Sequence, residues 1–356
     1  MQSKSGFLVL AAAFAFAGFG VFGGDFANAQ ESSSARPAAT VTPSPTIEET
    51  DEVIKVNTDA VNVLFTAQDR NRRLLLNLKP EDIKVLENGQ PQEISAFTRQ
   101  VDLPLSLAIL IDTSASQQRT LPEEKAAAIS FIESVIRPTK DEVSVVSFTG
   151  ESTLEQGMTN NLDRLRRAVE RVQFVPPSGY IGGGVVVGTP PISGRNQATQ
   201  GSTAIWDAVW ITSEEVLGPA PEKTRRAIIL LTDGVNTSGQ KKLDEAVQAA
   251  QKAEAVIYTI GIGDNFYDGV NEGVLRKLSE GAGGRAYFPR DEVELRQAFK
   301  QIQDEMRSQY LVAYEPSNQT LDGSYRKIEI QLVNPALAKE KVKLTHRQGY
   351  FSKTKK

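Results

Sequence analysis

The stretch LSLAILIDTSAS, residues 105–116, decides how the rest of the chain is read. Residues 105–111 are apolar on both alternating faces, as a parallel strand covered by helices on either side requires. The strand runs without a break into Asp112, Thr113, Ser114, Ala115 and Ser116, an Asp-x-Ser-x-Ser sequence. In open α/β sheets, ligands bind beyond the carboxyl ends of the strands, near the point where strand order reverses. These polar residues are therefore expected at the ligand edge of a sheet.

Working outward, residues 143–148, 227–231 and 256–260 repeat the short, β-branched, two-sided apolar pattern. Amphipathic stretches at 122–136, 162–172, 204–217, 243–253 and 291–307 alternate with them. Such alternation predicts a doubly wound α/β fold with a mainly parallel sheet over residues 101–308. On the N-terminal side, residues 51–100 alternate β-branched and polar positions, as in Val61, Val63 and Phe65, with a turn at 87–90. On the C-terminal side, residues 309–356 return to strands at 309–314, 325–333 and 341–349. Residues 53–98 are too few for a comfortable independent sheet, so both flanks are expected to pair into one β-rich accessory domain around the α/β insertion.

The first residues carry a different message. Lys4 precedes an apolar run at 6–23 and then Ala27-Asn28-Ala29, the small-x-small pattern of a cleaved signal peptide. Residues 1–29 are read as that signal and 30–50, rich in Ser, Pro, Ala and Thr, as a disordered linker. An uncleaved anchor is the alternative. Cleavage would leave an exported chain, periplasmic, secreted or at the cell surface, with no membrane insertion. A formal net charge of −4 gives nucleic acid no electrostatic attraction. With no cysteine and a single histidine, His346, thiol nucleophiles, thiolate zinc sites and multi-histidine metal sites are excluded. His346 itself reads as a surface strand residue.

The strand at 227–231 runs into Thr232-Asp233-Gly234, and Gly201-Ser202-Thr203 opens the helix at 204. Alone, each piece has an ordinary explanation, because Ser and Thr cap helices and an Asp before Gly makes a turn. Together, Asp112, Ser114, Ser116, Thr203 and Asp233 form an oxygen-only set of two carboxylates and three hydroxyls. Hard divalent cations prefer such oxygens, Mg²⁺ above all and Mn²⁺ in the same cage. Alternation points Asp112, Ser114 and Ser116 to one centre, with Thr113 and Ala115 turned away.

These residues resemble the metal-ion-dependent adhesion site of von Willebrand factor type A domains. The three motifs are Asp112-x-Ser114-x-Ser116, Thr203 within GSTAIWDAV, and Asp233 within LLTDGVN. Residues 258–263 and 283–288 are similar to the family's fifth and sixth strands, and the flanks look like those of exported bacterial proteins carrying this domain between β-rich ends. The resemblance implies that the two serines and Thr203 touch the metal, that Asp112 and Asp233 bind it directly or through water, and that one position stays open for an acidic group of the ligand. It also implies that the last helix, 291–307, moves on binding.

The expected function is thus a metal-dependent binding or adhesion module, not an enzyme, that engages an exposed Asp or Glu carboxylate of a protein partner. A structural or assembly role in the cell envelope, with the metal only stabilising the fold, is the alternative, and hydrolysis by metal-activated water comes behind it. The Gly/Pro-rich loop at 175–202 ends at Thr203 and reads either as part of the partner surface or as a mobile insertion. GGGVVVG within it is no phosphate loop, since no Lys-Ser/Thr follows. Asp264, Asp268 and Glu272 lack calcium-loop spacing, Arg70, Arg72 and Arg73 read as an exposed basic turn, and Trp206 and Trp210 as packing residues of a helix.

Overall fold

Residue burial follows the apolar runs strand by strand. The computed structural model describes residues 60–100, 103–176, 180–181, 184–185, 202–221, 224–263 and 269–354. The signal and linker assignments, residues 51–59, most of the 175–202 loop, and Asp264 with Asp268 lie outside the described residues.

The N-terminal flank supplies Val61–Gln68 (β1), Ile83–Glu87 (β2), Gln90–Gln92 (β3) and Ile94–Gln100 (β4). Then come Leu105–Asp112 (β5), the helix Leu121–Val135 (α1), Glu142–Phe148 (β6), Ser152–Thr159 (β7) and Leu162–Arg171 (α2). A two-residue hairpin pair, Tyr180–Ile181 (β8) and Gly184–Val185 (β9), precedes Ile205–Ile211 (α3). Arg225–Thr232 (β10), Leu243–Lys252 (α4), Ala255–Gly261 (β11), Glu272–Gly281 (α5), Ala286–Tyr287 (β12) and Glu292–Arg307 (α6) complete the α/β part. The C-terminal flank is Gln309–Tyr314 (β13), Tyr325–Leu332 (β14), Pro335–Lys339 (α7), Lys343–His346 (β15) and Gly349–Phe351 (β16).

The α/β sheet has the order β12-β11-β10-β5-β6-β7, parallel throughout except for β7, which runs antiparallel to β6. Every residue of β5, β10 and β11 is buried. Side chains alternate between two apolar layers, as the pleat dictates. Leu107, Ile109 and Ile111 face α1, α2 and α6, while Ala108 and Leu110 face α3, α4 and α5.

The flanking strands interleave in two four-stranded sheets, β15-β1-β13-β4 and β16-β14-β2-β3. Val63, Phe65, Val85, Val312, Tyr314 and Ile328 form the apolar layer they share. Both belong, with the α/β sheet, to one compact unit, Lys55–Lys356. The last α/β helix, α6, feeds β13 directly. Near its end, buried Glu305 accepts hydrogen bonds from Gln68 Nε2 of β1 at 2.8 Å and from Tyr287 Oη at 2.8 Å. A second buried carboxylate, Glu87, accepts from Tyr314 Oη and Tyr350 Oη, each at 2.9 Å, and pairs with buried Arg326 at 3.3 Å.

Three local expectations need correction. The helical stretch 204–217 stays α-helical only through Ile211 and widens into a π-helix at Thr212–Leu217, closed by the bond from Gly218 N to Ser213 O. The strand expected at 341–349 is broken between His346 and Gly349, because β15 pairs with β1 and β16 with β14 in the other sheet. His346 is half-buried rather than a surface ring: its Nε2 accepts the Ile330 amide at 3.2 Å, and desolvation lowers its pKa.

Candidate metal centre

Strand register assembles the site before any side chain is considered. β5 lies between β10 and β6, with Ile111 opposite Leu231 and Asp112 opposite Phe148. Asp112 and Asp233 therefore leave adjacent strands at the carboxyl edge. Thr232, the last residue of β10, donates its hydroxyl to Asp112 Oδ2 at 2.6 Å, and Ser114 N donates to Asp112 Oδ1 at 2.9 Å. Asp112 is thus held from two sides. Asp233 Oδ1 accepts from Val235 N at 2.9 Å. Gly234 takes φ +82°, where a Cβ would lie 2.8 Å from Leu275 Cγ, so the turn after Asp233 requires glycine.

Ser114 Oγ and Ser116 Oγ lie 3.2 Å apart, both directed to one side of the loop. Thr113 turns away as expected, donating its hydroxyl to Phe148 O at 3.0 Å. Thr203 arrives from a distant part of the chain and is tied on both sides of β5. Its neighbour Ala204 donates from N to Thr149 O beyond β6 at 2.7 Å, and Thr203 O accepts from Thr237 N at 2.9 Å and Ser238 N at 3.0 Å, beyond β10. All five expected residues therefore belong to the same sheet edge. Asp112, Ser114, Thr203 and Asp233 are buried, and Ser116 is half-buried.

Among the described residues, no three His, Cys, Asp or Glu side chains gather as a metal cage. The donor set is instead two carboxylates supplemented by hydroxyls. That composition fits a hard divalent ion that keeps water in its shell, and neutral hydroxyls leave much of the ion's charge unquenched. The electrostatics point the same way. Burial, with the nearby negative charge of Asp233, pushes the Asp112 carboxyl up to about 7 against the hydrogen bonds that favour its ionised form. Two carboxylates buried together are costly without a cation.

Two models of the von Willebrand factor type A domain match the sequence, one over residues 107–236 and the other over residues 192–301. The α/β part has a von Willebrand factor type A-like fold. No curated protein matches the chain. Among solved structures, the proximal thread matrix protein 1 of the mussel byssus is similar at 18% identity and a TM-score of 0.46, over 62% of this chain and 51% of that one. A form of the same mussel protein described as having a zinc-occupied MIDAS motif is similar at 16% identity and a TM-score of 0.44. An aerotolerance-related membrane protein from Bacteroides fragilis is similar at 18% identity and a TM-score of 0.40, over 57% of this chain and all of that one (100%). The chain spans about half the length of the mussel protein (51%).

The α/β part also contains a polar group that the sequence did not single out. Glu124, in the first turns of α1, is fully buried, and neither carboxyl oxygen has a hydrogen-bond partner. The Thr120 hydroxyl one turn away donates to Gln117 Oε1 at 2.9 Å, and Gln117 Nε2 donates to Ile262 O at 3.1 Å. Desolvation, reinforced by the charges of Asp112 and Asp233, pushes Glu124 up to about 8. A signal existed, since Glu124 occupies an apolar position of α1's heptad-like face beside Leu121, Ala127 and Ala128, but glutamate before lysine in a helix reads as an exposed pair.

This environment predicts a pH dependence. The folded pKa of Glu124 lies above the unfolded value, so its contribution to stability is complete below about pH 4.5 and is lost as pH rises through about 8. In EDTA, Glu124→Gln is expected to lose less stability than the wild type between pH 5 and pH 9, by about 1–3 kcal/mol. Parallel pH profiles of the melting temperature in the two proteins would argue against a buried, protonated Glu124.

Proposed function

We propose that the chain is an exported binding module that holds a divalent cation, Mg²⁺ or Mn²⁺, through Asp112, Ser114, Ser116, Thr203 and Asp233, and uses it to engage a carboxylate of a protein partner. The observation that carries this reading is the placement of three separate sequence segments at one carboxyl edge, with Asp112 fixed by Ser114 N and Thr232 Oγ1. A divalent ion with an exchangeable water supplies a strong acceptor site for an acidic group. The chain's own residues supply the rest. The serines and Thr203 offer neutral oxygens, the two aspartates offset the ion's charge, and Thr232 orients Asp112.

Export rests on the apolar run at 6–23 and Ala27-Asn28-Ala29. No helix among the described residues is long and apolar enough to cross a membrane. Enzymatic hydrolysis is disfavoured by chemistry: Glu124, the buried carboxyl whose charge is coupled to Asp112 and Asp233, is enclosed rather than presented to a substrate.

Affinity capture from an envelope extract tests the reading, with the full mature chain as bait in Mg²⁺, in EDTA, and as Asp112→Asn. Partner capture in Mg²⁺ alone, lost in EDTA and in the variant, is expected. Equal capture in all three arms would sink the carboxylate-through-metal mechanism. A melting temperature raised by Mg²⁺ together with metal-independent capture would favour the structural role instead.

A further inference from the structure

The loop after Asp233 does more than turn the chain toward α4. Thr203 N donates to Thr237 Oγ1 at 2.8 Å, while Thr203 O accepts from Thr237 N at 2.9 Å and from Ser238 N at 3.0 Å. One residue earlier, Asn236 Oδ1 accepts from Ile205 N at 2.7 Å and Trp206 N at 3.4 Å, the first amides of α3, and Asn236 Nδ2 donates to Ser238 O at 2.7 Å. The embrace is reciprocal. Asp207 of α3 accepts from Gln240 N at 3.0 Å and Lys241 N at 3.2 Å. Gly239, at φ +100°, passes so close that a Cβ would lie 2.1 Å from Asp207 Oδ2.

We propose that Thr237, assisted by Asn236, is a positioning residue for the divalent cation, because it locks Thr203 to the Asp233 loop so that these two arms of the site form one rigid unit. This rests on the proposed metal reading. The physical need for such a lock is plain. Asp112, Ser114 and Ser116 share one loop and are placed by β5, whereas Thr203 comes from a segment distant in sequence and is tied to the Asp233 loop through its own backbone N and O. A threonine hydroxyl misplaced by a fraction of an ångström loses a metal bond, and partners that orient ligands typically govern about 10–100-fold in metal affinity. The Thr237 side chain accepts from the Thr203 amide, so it sets Thr203's orientation without touching the ion itself.

The test compares Thr237→Val, which keeps the shape and removes the acceptor, with Thr237→Ser, which keeps the acceptor. Calorimetric titration of the EDTA-stripped mature chain with Mn²⁺ gives the affinity, and melting in EDTA gives the stability of the metal-free fold. Thr237→Val should bind Mn²⁺ at least about tenfold more weakly, and Thr237→Ser within about twofold of wild type, with the valine variant's metal-free melting temperature close to the serine variant's. Asn236→Ala, which releases the first amides of α3 but leaves the Thr237 hydroxyl, gives an independent reading if the valine variant folds poorly. It should also weaken Mn²⁺ binding.

Wild-type affinity in Thr237→Val, or an equal loss in Val and Ser, would overturn the proposal while leaving the metal site standing. Unweakened binding by a folded Asn236→Ala would overturn Asn236's part in it. Failure of the wild type to bind Mn²⁺ at all would instead remove the metal reading and this proposal with it.

Discussion

In EDTA at pH 8, Asp112→Asn is expected to melt above the wild type, and on adding Mg²⁺ the order should reverse. Asp112 is fully buried, accepts hydrogen bonds from Ser114 N and Thr232 Oγ1, and lies near Asp233. Its folded pKa of about 7 lies above the unfolded value of 3.8. The stability it contributes is therefore complete below pH 3.8 and is lost as pH rises through 7. Neutral asparagine escapes that loss, which corresponds to a gain on the order of 2–4 kcal/mol above pH 7. Magnesium acts in the opposite direction. At a concentration a hundred times the dissociation constant it stabilises a competent site by about 2.7 kcal/mol, and Asp112→Asn should gain almost none of this. An asparagine variant less stable than wild type in EDTA would mean that the hydrogen bonds from Ser114 N and Thr232 outweigh the desolvation of the carboxylate.

The largest purely structural effect is expected in the β-rich flanks, at Glu87→Ala. One substitution leaves the buried guanidinium of Arg326 without its anionic partner and removes the acceptor of both Tyr314 and Tyr350. Breaking a buried pair from one side typically costs about 3–5 kcal/mol, since the remaining charge stays desolvated. Arg326 keeps hydrogen bonds to the carbonyls of Asn318 and Thr320, which places the expected loss at the lower end. Denaturant unfolding reads it directly. A loss below about 1 kcal/mol would show that Arg326 finds water or another anion when Glu87 is gone.

What the sequence revealed follows from which interactions are local. β5, β10 and β11 are buried on both faces, so each had to be a continuous apolar run, and each was readable as one. α6 was readable as the amphipathic stretch 291–307, and the structure starts it at Asp291, whose side chain accepts from Glu294 N at 2.8 Å as an N-cap should. β7 gave no such signal: STLEQGMT is an exposed antiparallel edge with little apolar content. The break after His346 was equally silent, because it is set by two different sheets competing for neighbouring residues.

The candidate site divides the same way. Asp112, Ser114 and Ser116 are close in sequence, so their alternation was legible, but only in conjunction with the other two pieces did it point to a metal. Thr203 and Asp233 required the pattern of strand ends. The residues that hold them were not legible, because Thr232 acts on Asp112 across 120 positions and Thr237 on Thr203 across 34. In a linear reading, Asn236-Thr237-Ser238-Gly239 is an ordinary polar turn.

The same logic bears on α6. Glu305 joins that helix to β1 through Gln68 and to β12 through Tyr287, so any shift of α6 must break or carry both contacts. The helix is bolted to the accessory sheets as well as to its own.

The central claim is that a divalent cation sits among the three hydroxyls and two carboxylates at the end of β5 and β10. Crystals of the mature chain grown with Mn²⁺ and measured for its anomalous scattering test this most directly. One strong peak within direct-ligand distance, about 2.0–2.3 Å, of Ser114 Oγ and Ser116 Oγ, with Thr203, Asp112 and Asp233 around it, is the expected result. No peak at that edge, from a chain saturated with Mn²⁺, would contradict the account.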